Sequence, residues 1–247
     1  LNASDQQAIW TQRTAKASVA TVLDGYRSPC TFQTEFVAFL QSLATVRSGT
    51  ARWRICELGS EFGVTTLLLS DRCFERHALD LNPQPLALLE EAARQLGQTV
   101  QVHPRDMFHT GWPDGEFDVV FSNGVLEHYD ASQRTEALRE CARITRPGGK
   151  VIVGVPNHCS PPYRFAYLLR RALGKWHYPP EEKIPDLATE LRTVPGLLHE
   201  QTRFFDQETV FAILPYPRVL SLPFRLWHRL MPVQPYLRVF QLARIGT

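Results

Sequence analysis

The chain lacks the features that mark several large classes of protein. No run approaches the roughly 20 apolar residues needed to cross a bilayer, so no transmembrane helix is expected. The opening residues Leu1-Asn2-Ala3-Ser4-Asp5-Gln6 hold no basic stretch followed by an apolar one, so they do not read as a secretory leader. Cysteines are few and scattered: Cys30, Cys56, Cys73, Cys141 and Cys159 contain no C-x-x-C and are odd in number. That pattern fits neither a disulfide framework nor a zinc site, and a reducing cytoplasm is the expected compartment. There is also no strong excess of one charge. Lys and Arg total 27 against 25 Asp and Glu, a formal net charge of +2, which argues against a general nucleic-acid coat. Finally, no linker-like stretch divides the 247 residues, and one α/β domain is expected over 1–247.

With 44% hydrophobic residues, the chain can bury a sizeable core. Ser4 and Gln7 suggest a capping box, and Ile9, Trp10, Val19, Val22 and Leu23 follow as one apolar helical stripe. Phe32, Phe36, Phe39, Leu40 and Leu43 share a face of a second helix, where core packing is a simpler reading than a ligand box. These N-terminal helices occupy 1–50. The period then changes. Trp53–Leu58 reads as a strand, Gly59 to Gly63 as a loop, and Val64, Leu67 and Leu68 as the start of a helix. Arg76–Leu81 is a second strand, and Asn82-Pro83 supplies an N-cap and a first-turn proline for a helix that Gly97 stops. Thr99–His103 and Phe117–Ser122 are strands three and four. Ala131–Thr145 is a helix ended by Arg146-Pro147-Gly148-Gly149, and Lys150–Val155 is strand five. Alternation of this kind predicts a parallel sheet with helices on both faces and a ligand at the carboxyl ends of the strands.

The chemistry at those ends narrows the ligand. Gly59 and Gly63 permit close backbone approach, but Glu57 and Glu61 flank the same loop. A pyrophosphate there would meet two carboxylates, whereas a cation would be attracted. Asp80, ending strand two with Leu81 beside it, stands where an acid accepts hydrogen bonds from ribose hydroxyls. Asp106 ends strand three. Ribose, an exocyclic amine and a positively charged tail describe S-adenosylmethionine (SAM) better than NAD. Each acid alone has a plainer reading, Asp80 as a helix cap and Asp106 as a turn former.

Taken together, Glu57-Leu58-Gly59-Ser60-Glu61-Phe62-Gly63, Asp80, Asp106-Met107, the run from Phe117 to His128 and Arg146-Pro147-Gly148-Gly149 resemble class I SAM-dependent methyltransferases of the UbiE/UbiG-like, type 11 group. The resemblance covers roughly residues 50–157. It implies a Rossmann-like, seven-stranded, mostly parallel sheet whose last strand is antiparallel. It also implies Glu57, Gly59, Ser60 and Gly63 near the methionine part of SAM, Asp80 and Leu81 at the ribose, Asp106 and Met107 around the adenine, and Asn123 below the sulfonium. The family pattern E-x-G-x-G-x-G has glycine where this chain has Glu61, so a different loop path is expected. A SAM-binding scaffold without catalysis and a nicotinamide-dependent reductase are the alternatives.

Methyl transfer chiefly needs positioning and sometimes a base. His128, after strand four, is the first candidate base, with anchoring of its loop as the plainer reading; His158 and Tyr163, after strand five, come next. Strands four and five end in Ser122 and Pro156-Asn157, not acids. His103, Asp106 and His109 are the only other ligand-like set, and no metal is expected. Residues 157–199, rich in Tyr, Trp and Phe among charges, read as a helical cap suited to a flat or amphipathic small-molecule acceptor. Residues 200–247 should hold a strand near Gln201–Phe205, a helix over 206–214 and a strand near Tyr236–Arg244. Residues 215–247 contain five Arg and no acid. There, Leu220, Phe224, Trp227, Leu230 and Met231 share a helical face, expected to cover the acceptor site. Packing in a homodimer and, as a lesser alternative, peripheral membrane contact would use the same face. No nucleic-acid partner is expected.

Overall fold

The computed structural model describes residues 3–44, 52–206 and 235–246. The helix expected over 206–214, beyond its first residue, and the apolar helical face from Leu220 to Met231 lie outside them.

Helix α1 (Ala3–Thr14), α2 (Val19–Arg27) and α3 (Thr31–Ala44) precede strand β1 (Trp53–Leu58). The single N-terminal stripe expected from Ile9 to Leu23 is therefore two helices. Ala17 N donates to the Thr14 carbonyl, and Ser18, in extended backbone, starts α2 with its N–H on Thr21 Oγ1. Ser4 lies inside α1, which already includes Ala3. Helix α3 behaves as a core helix: Phe36 and Leu40 are fully buried, and Phe36 meets Phe121 edge-on at 5.9 Å.

After β1 come α4 (Val64–Leu68), β2 (Phe74–Asp80), α5 (Pro83–Gln95), β3 (Gln101–Pro104) and β4 (Phe117–Asn123). A 3-10 turn (Leu126–His128), α6 (Ala131–Ile144) and β5 (Thr145–Pro156) follow, then α7 (Pro161–Ala172), α8 (Ala188–Leu191), β6 (Leu197–Phe205) and β7 (Leu237–Arg244). Helix α4 is only five residues long. The buried Arg76 guanidinium holds its exit by donating to the Leu67 and Leu69 carbonyls. Gly97, at φ +66°, ends α5 as expected.

The seven strands form one sheet in the order β3-β2-β1-β4-β5-β7-β6. β1 pairs in parallel with β2 and β4, while β7 runs antiparallel to both β5 and β6. This is the Rossmann-like α/β architecture expected. Ile55, Val119, Phe121 and Ile152 face α3, and Cys56, Val120, Val151 and Val153 lie in the opposite core with the Leu138 side of α6. Alternate strand residues thus serve opposite layers, as the period of two requires.

Two local expectations need correction. The Arg146–Gly149 segment does not separate α6 from strand five; β5 begins at Thr145, opposite Phe117, and 146–149 bulge out before Val119 pairs with Lys150. Gly149 is needed in that bulge because a Cβ there would stand 2.7 Å from the Asp118 carbonyl oxygen. The cap is also less helical than expected: between α7 and α8 the chain runs without helix from Leu173 to Leu187. Its aromatics mostly pack inward. Tyr163 and Tyr167 are buried, and Trp176 meets Tyr167 edge-on at 5.0 Å. Arg134 of α6 fastens this cap through Glu182 (2.6 Å) and Glu190 (2.7 Å).

Candidate active site

Parallel pairing aligns the carboxyl ends of the central strands. Glu57 stands opposite Phe121, Asp80 opposite Pro104, and Asn123 opposite Gly154. The loop leaving β1 passes through left-handed backbone at Gly59 (φ +68°), Glu61 (φ +47°) and Gly63 (φ +55°). A Cβ on Gly59 would lie 2.7 Å from Val125 Cγ2, so the missing side chain lets this loop approach the segment after β4. Glu61 therefore holds a left-handed backbone conformation that a glycine adopts freely, at a steric cost of about 1 kcal/mol. Two partners hold it there: its N–H donates to Asp80 Oδ2 (2.8 Å), and its carboxylate accepts from Arg13 of α1 (2.9 Å).

Asp80 is mostly buried, and burial raises its pKa against the pull of the Asn82 and Glu61 N–H groups. Its Oδ1 accepts from Asn82 N at 2.9 Å, so the acid shapes the start of α5 as well as facing the loop. Glu57 is buried beneath the loop. Its Oε2 accepts from Thr66 Oγ1 (2.6 Å) and Thr66 N (3.2 Å). Burial dominates its titration and moves the pKa up to about 7, with nearby Asp80 acting in the same direction. Ser60 is 8% exposed, and its Oγ has no hydrogen-bond partner. Asn123 Oδ1, packed above Gly154, is likewise buried and unpartnered. Leu81 is half exposed, Met107 is buried, and Asp106 is exposed with Oδ1 accepting from Phe108 N. Asp106 thus shapes the turn that follows β3.

His128, His158 and Tyr163 are all buried after the ends of β4 and β5. His128 Nδ1 lies 3.1 Å from the Pro180 carbonyl, which requires its hydrogen on Nδ1, and desolvation lowers its pKa. Arg164 can only donate, so its contact with His158 Nδ1 (3.3 Å) leaves the His158 hydrogen on Nε2, facing Glu181 Oε2 at 2.9 Å. Tyr163 donates to the same Glu181 oxygen at 2.7 Å. The three expected catalytic residues therefore surround two acids that sequence reasoning did not select, Glu127 and Glu181. Glu127 stands inside the run from Phe117 to His128, next to the candidate base His128. Nothing local in the sequence points Glu181 toward His158.

Helix α1 also belongs to this region. Trp10 meets the His128 ring edge-on at 5.5 Å and Tyr178 at 6.0 Å, Arg13 lies over Tyr178, and Asn82 and Gln84 both donate to Thr14. His103, by contrast, is on β3 and not on a turn. It stacks with His77 at 5.3 Å and meets Trp112 edge-on, away from Asp106. Among the described residues no three His, Cys, Asp or Glu side chains gather as a metal site, and no helix is long and apolar enough to cross a membrane.

A doubly wound sheet with β7 reversed, a loop of left-handed residues after β1, and acids at the ends of β1 and β2 define a class I SAM-dependent methyltransferase architecture. Comparison with known proteins agrees: residues 56–153 match the family model of the methyltransferase domain. It is 27% identical over 125 residues to the ubiquinone biosynthesis O-methyltransferase of Pseudomonas aeruginosa, covering 49% of this chain and 52% of that protein. The chain thus matches about half the length of such curated relatives. Among solved structures, magnesium protoporphyrin IX methyltransferase of Synechocystis PCC 6803, with bound S-adenosylhomocysteine, superposes with TM-score 0.60 at 15% identity, over 98% of this chain and 94% of that one. Geranyl diphosphate C-methyltransferase of Streptomyces coelicolor A3(2) gives 0.58 at 13%, over 84% and 79%. At these identities the structural likeness concerns the fold.

Proposed function

We propose that this protein transfers a methyl group from SAM to oxygen, nitrogen or carbon of a small organic acceptor. The observation that carries this reading is the acid-lined loop after β1. Glu57, Glu61 and Asp80 gather there, and the buried oxygens of Ser60 and Asn123 have no protein partner. That set suits a ligand with hydroxyl donors and positive charge, and it opposes a pyrophosphate. Glu57, Gly59, Ser60 and Gly63 would hold the methionine part, Asp80 and Leu81 the ribose, Met107 with Asp106 the adenine side, and Asn123 the sulfonium side. When bound, SAM supplies an activated methyl group. The protein's own contribution is to fix the loop, exclude water beneath α1 and the cap, and handle the acceptor's proton, for which His128, His158 and Tyr163 are buried close by.

Calorimetry tests the reading. SAM or S-adenosylhomocysteine should bind and NAD should not, and Asp80→Ala should weaken binding about tenfold or more, as expected for loss of hydrogen bonds to a charged acceptor. NAD binding without SAM binding would reverse the reading toward a reductase. Incubation with methyl-labelled SAM and a metabolite extract then separates an enzyme from a SAM-binding scaffold.

A further inference from the structure

The least satisfied group in the region is Glu127. It is 2% exposed, and its Oε2 has no hydrogen-bond partner. The backbone fixes its place: Gly124, at φ +74°, turns the chain out of β4 into Leu126–His128, and the Glu127 carbonyl accepts from Glu182 N at 2.7 Å. Oε1 lies 3.8 Å from His128 Nε2. Among the described residues, Glu181 of the cap, Tyr163, Tyr236 and His128 are titratable groups near it. The two acids differ in what supports them. Glu181 Oε2 receives both His158 Nε2–H and Tyr163 O–H, whereas Glu127 receives neither. A buried carboxyl left this way is costly, and a ligand that donates an O–H or N–H to it removes the cost. A carboxylate or phosphate ligand would instead meet two acids at close range.

We propose that Glu127 hydrogen-bonds the nucleophilic hydroxyl or amine of the acceptor and takes its proton, with Glu181 as a positioning residue held by His158 and Tyr163. The acceptors are then neutral hydroxyl or aromatic amine compounds and not carboxylates. This rests on the methyltransferase reading and deepens it. As the acceptor's oxygen or nitrogen gains the methyl group, it gives its proton to the Glu127 carboxylate. The donor's sulfur keeps the electron pair of the broken S–CH3 bond as a neutral thioether, and Glu127 returns the proton to solvent. Burial and Glu181 raise the Glu127 pKa well above the usual carboxylate range, so it is a stronger base than an ordinary acid. His128 is less suited, because Nδ1 is committed to Pro180 and burial weakens its basicity.

The test uses the whole chain saturated with S-adenosylhomocysteine, titrated calorimetrically with catechol, aniline and benzoate, alongside methyl transfer from labelled SAM to the same probes. Catechol or aniline should bind and benzoate should not. Glu127→Gln should weaken the donor probe about tenfold or more while S-adenosylhomocysteine affinity stays at the wild-type value. Glu127→Asp should restore part of the probe affinity, and Glu181→Gln should shift the pH dependence of probe binding to lower pH by removing the like charge. The proposal is overturned if benzoate binds as well as the donor probes, if neither donor probe binds, if Glu127→Gln changes nothing, or if the pH dependence follows His128→Gln instead. Failure of S-adenosylhomocysteine itself to bind would be a different result, striking the underlying methyltransferase reading.

Discussion

Replacing Gly63 by alanine tests how the loop after β1 is held against α5. Gly63 sits at φ +55°, and a Cβ there would overlap Leu89 Cδ2, whose side chain is fully buried. Gly97 provides the control at the other end of α5. It has φ +66°, but a Cβ added to it meets nothing within 4 Å. Left-handed backbone costs alanine about 1–2 kcal/mol, and loss of glycine's freedom in the unfolded chain returns about 0.4–1 kcal/mol. Gly97→Ala should therefore destabilise by about 1 kcal/mol or less. Gly63→Ala carries the same backbone cost plus an overpacking cost of about 1–3 kcal/mol. The gap between the variants should be about 2 kcal/mol, or roughly 4–8 °C in Tm for a chain of this size. Urea unfolding of both variants measures it. In a Leu89→Ala background the Gly63→Ala increment should fall to that of Gly97→Ala, although Leu89→Ala alone costs about 2–5 kcal/mol. Equal losses for Gly63→Ala and Gly97→Ala in the wild-type background would refute close packing of the loop on Leu89.

Other outcomes follow from the charged groups. Glu57 has its pKa raised to about 7, so the folded protein binds a proton more tightly than the unfolded chain. Its contribution is present below the ordinary carboxylate range and is lost as pH rises through about 7, by at most about 3 kcal/mol. Urea midpoints should decline over that interval, and Glu57→Gln should flatten the decline; an unchanged slope in the variant would assign it to another group. If Glu57 lies by the positive end of SAM, binding at pH 7 should release about half a proton, seen as a dependence of calorimetric heat on buffer ionisation. Arg13→Ala removes the clamp between α1 and Glu61 at a stability cost of about 1 kcal/mol or less, because both side chains are about a third exposed. The same variant should speed S-adenosylhomocysteine association in stopped flow, and an unchanged rate would mean that α1 does not gate the site.

The parts of this protein legible in its sequence are those dictated by local chemistry. Asn82-Pro83 and Gly97 bound α5 because an N-cap acceptor, a preset φ and a left-handed stop are local requirements, and Asn82 Oδ1 does accept from Gln84 N. Alternation placed the inner strands because their residues serve two cores. Reading failed where distant groups decide. The 146–149 bulge looks like a helix stop until β4 lies beside it, and the irregular stretch after α7 is held by Arg134, more than 45 positions earlier than its partners Glu182 and Glu190. Glu181 is hidden for the same reason, since its hydrogen-bond donors come from the other side of the cap. At Asp106 the plainer local reading is visible, since its Oδ1 accepts from Phe108 N in an adjacent turn.

Glu61 joins these two kinds of information. At this position the chain carries a residue whose backbone conformation favours glycine, and a charged side chain there has to go somewhere. In the structure it turns toward α1 and meets Arg13, whose helix also presents Trp10 to His128 and Thr14 to Asn82 and Gln84. The substituted glycine thereby links the loop after β1 to a helix about fifty positions earlier. A glycine would have left that loop without its ion pair to α1. With glutamate, the loop, the start of α5 and the turn after β4 all contact one helix, so displacement of α1 would expose the candidate SAM and acceptor sides together. His128 is thereby buried against α1, at strand ends that, in a doubly wound sheet, are the place where ligands bind.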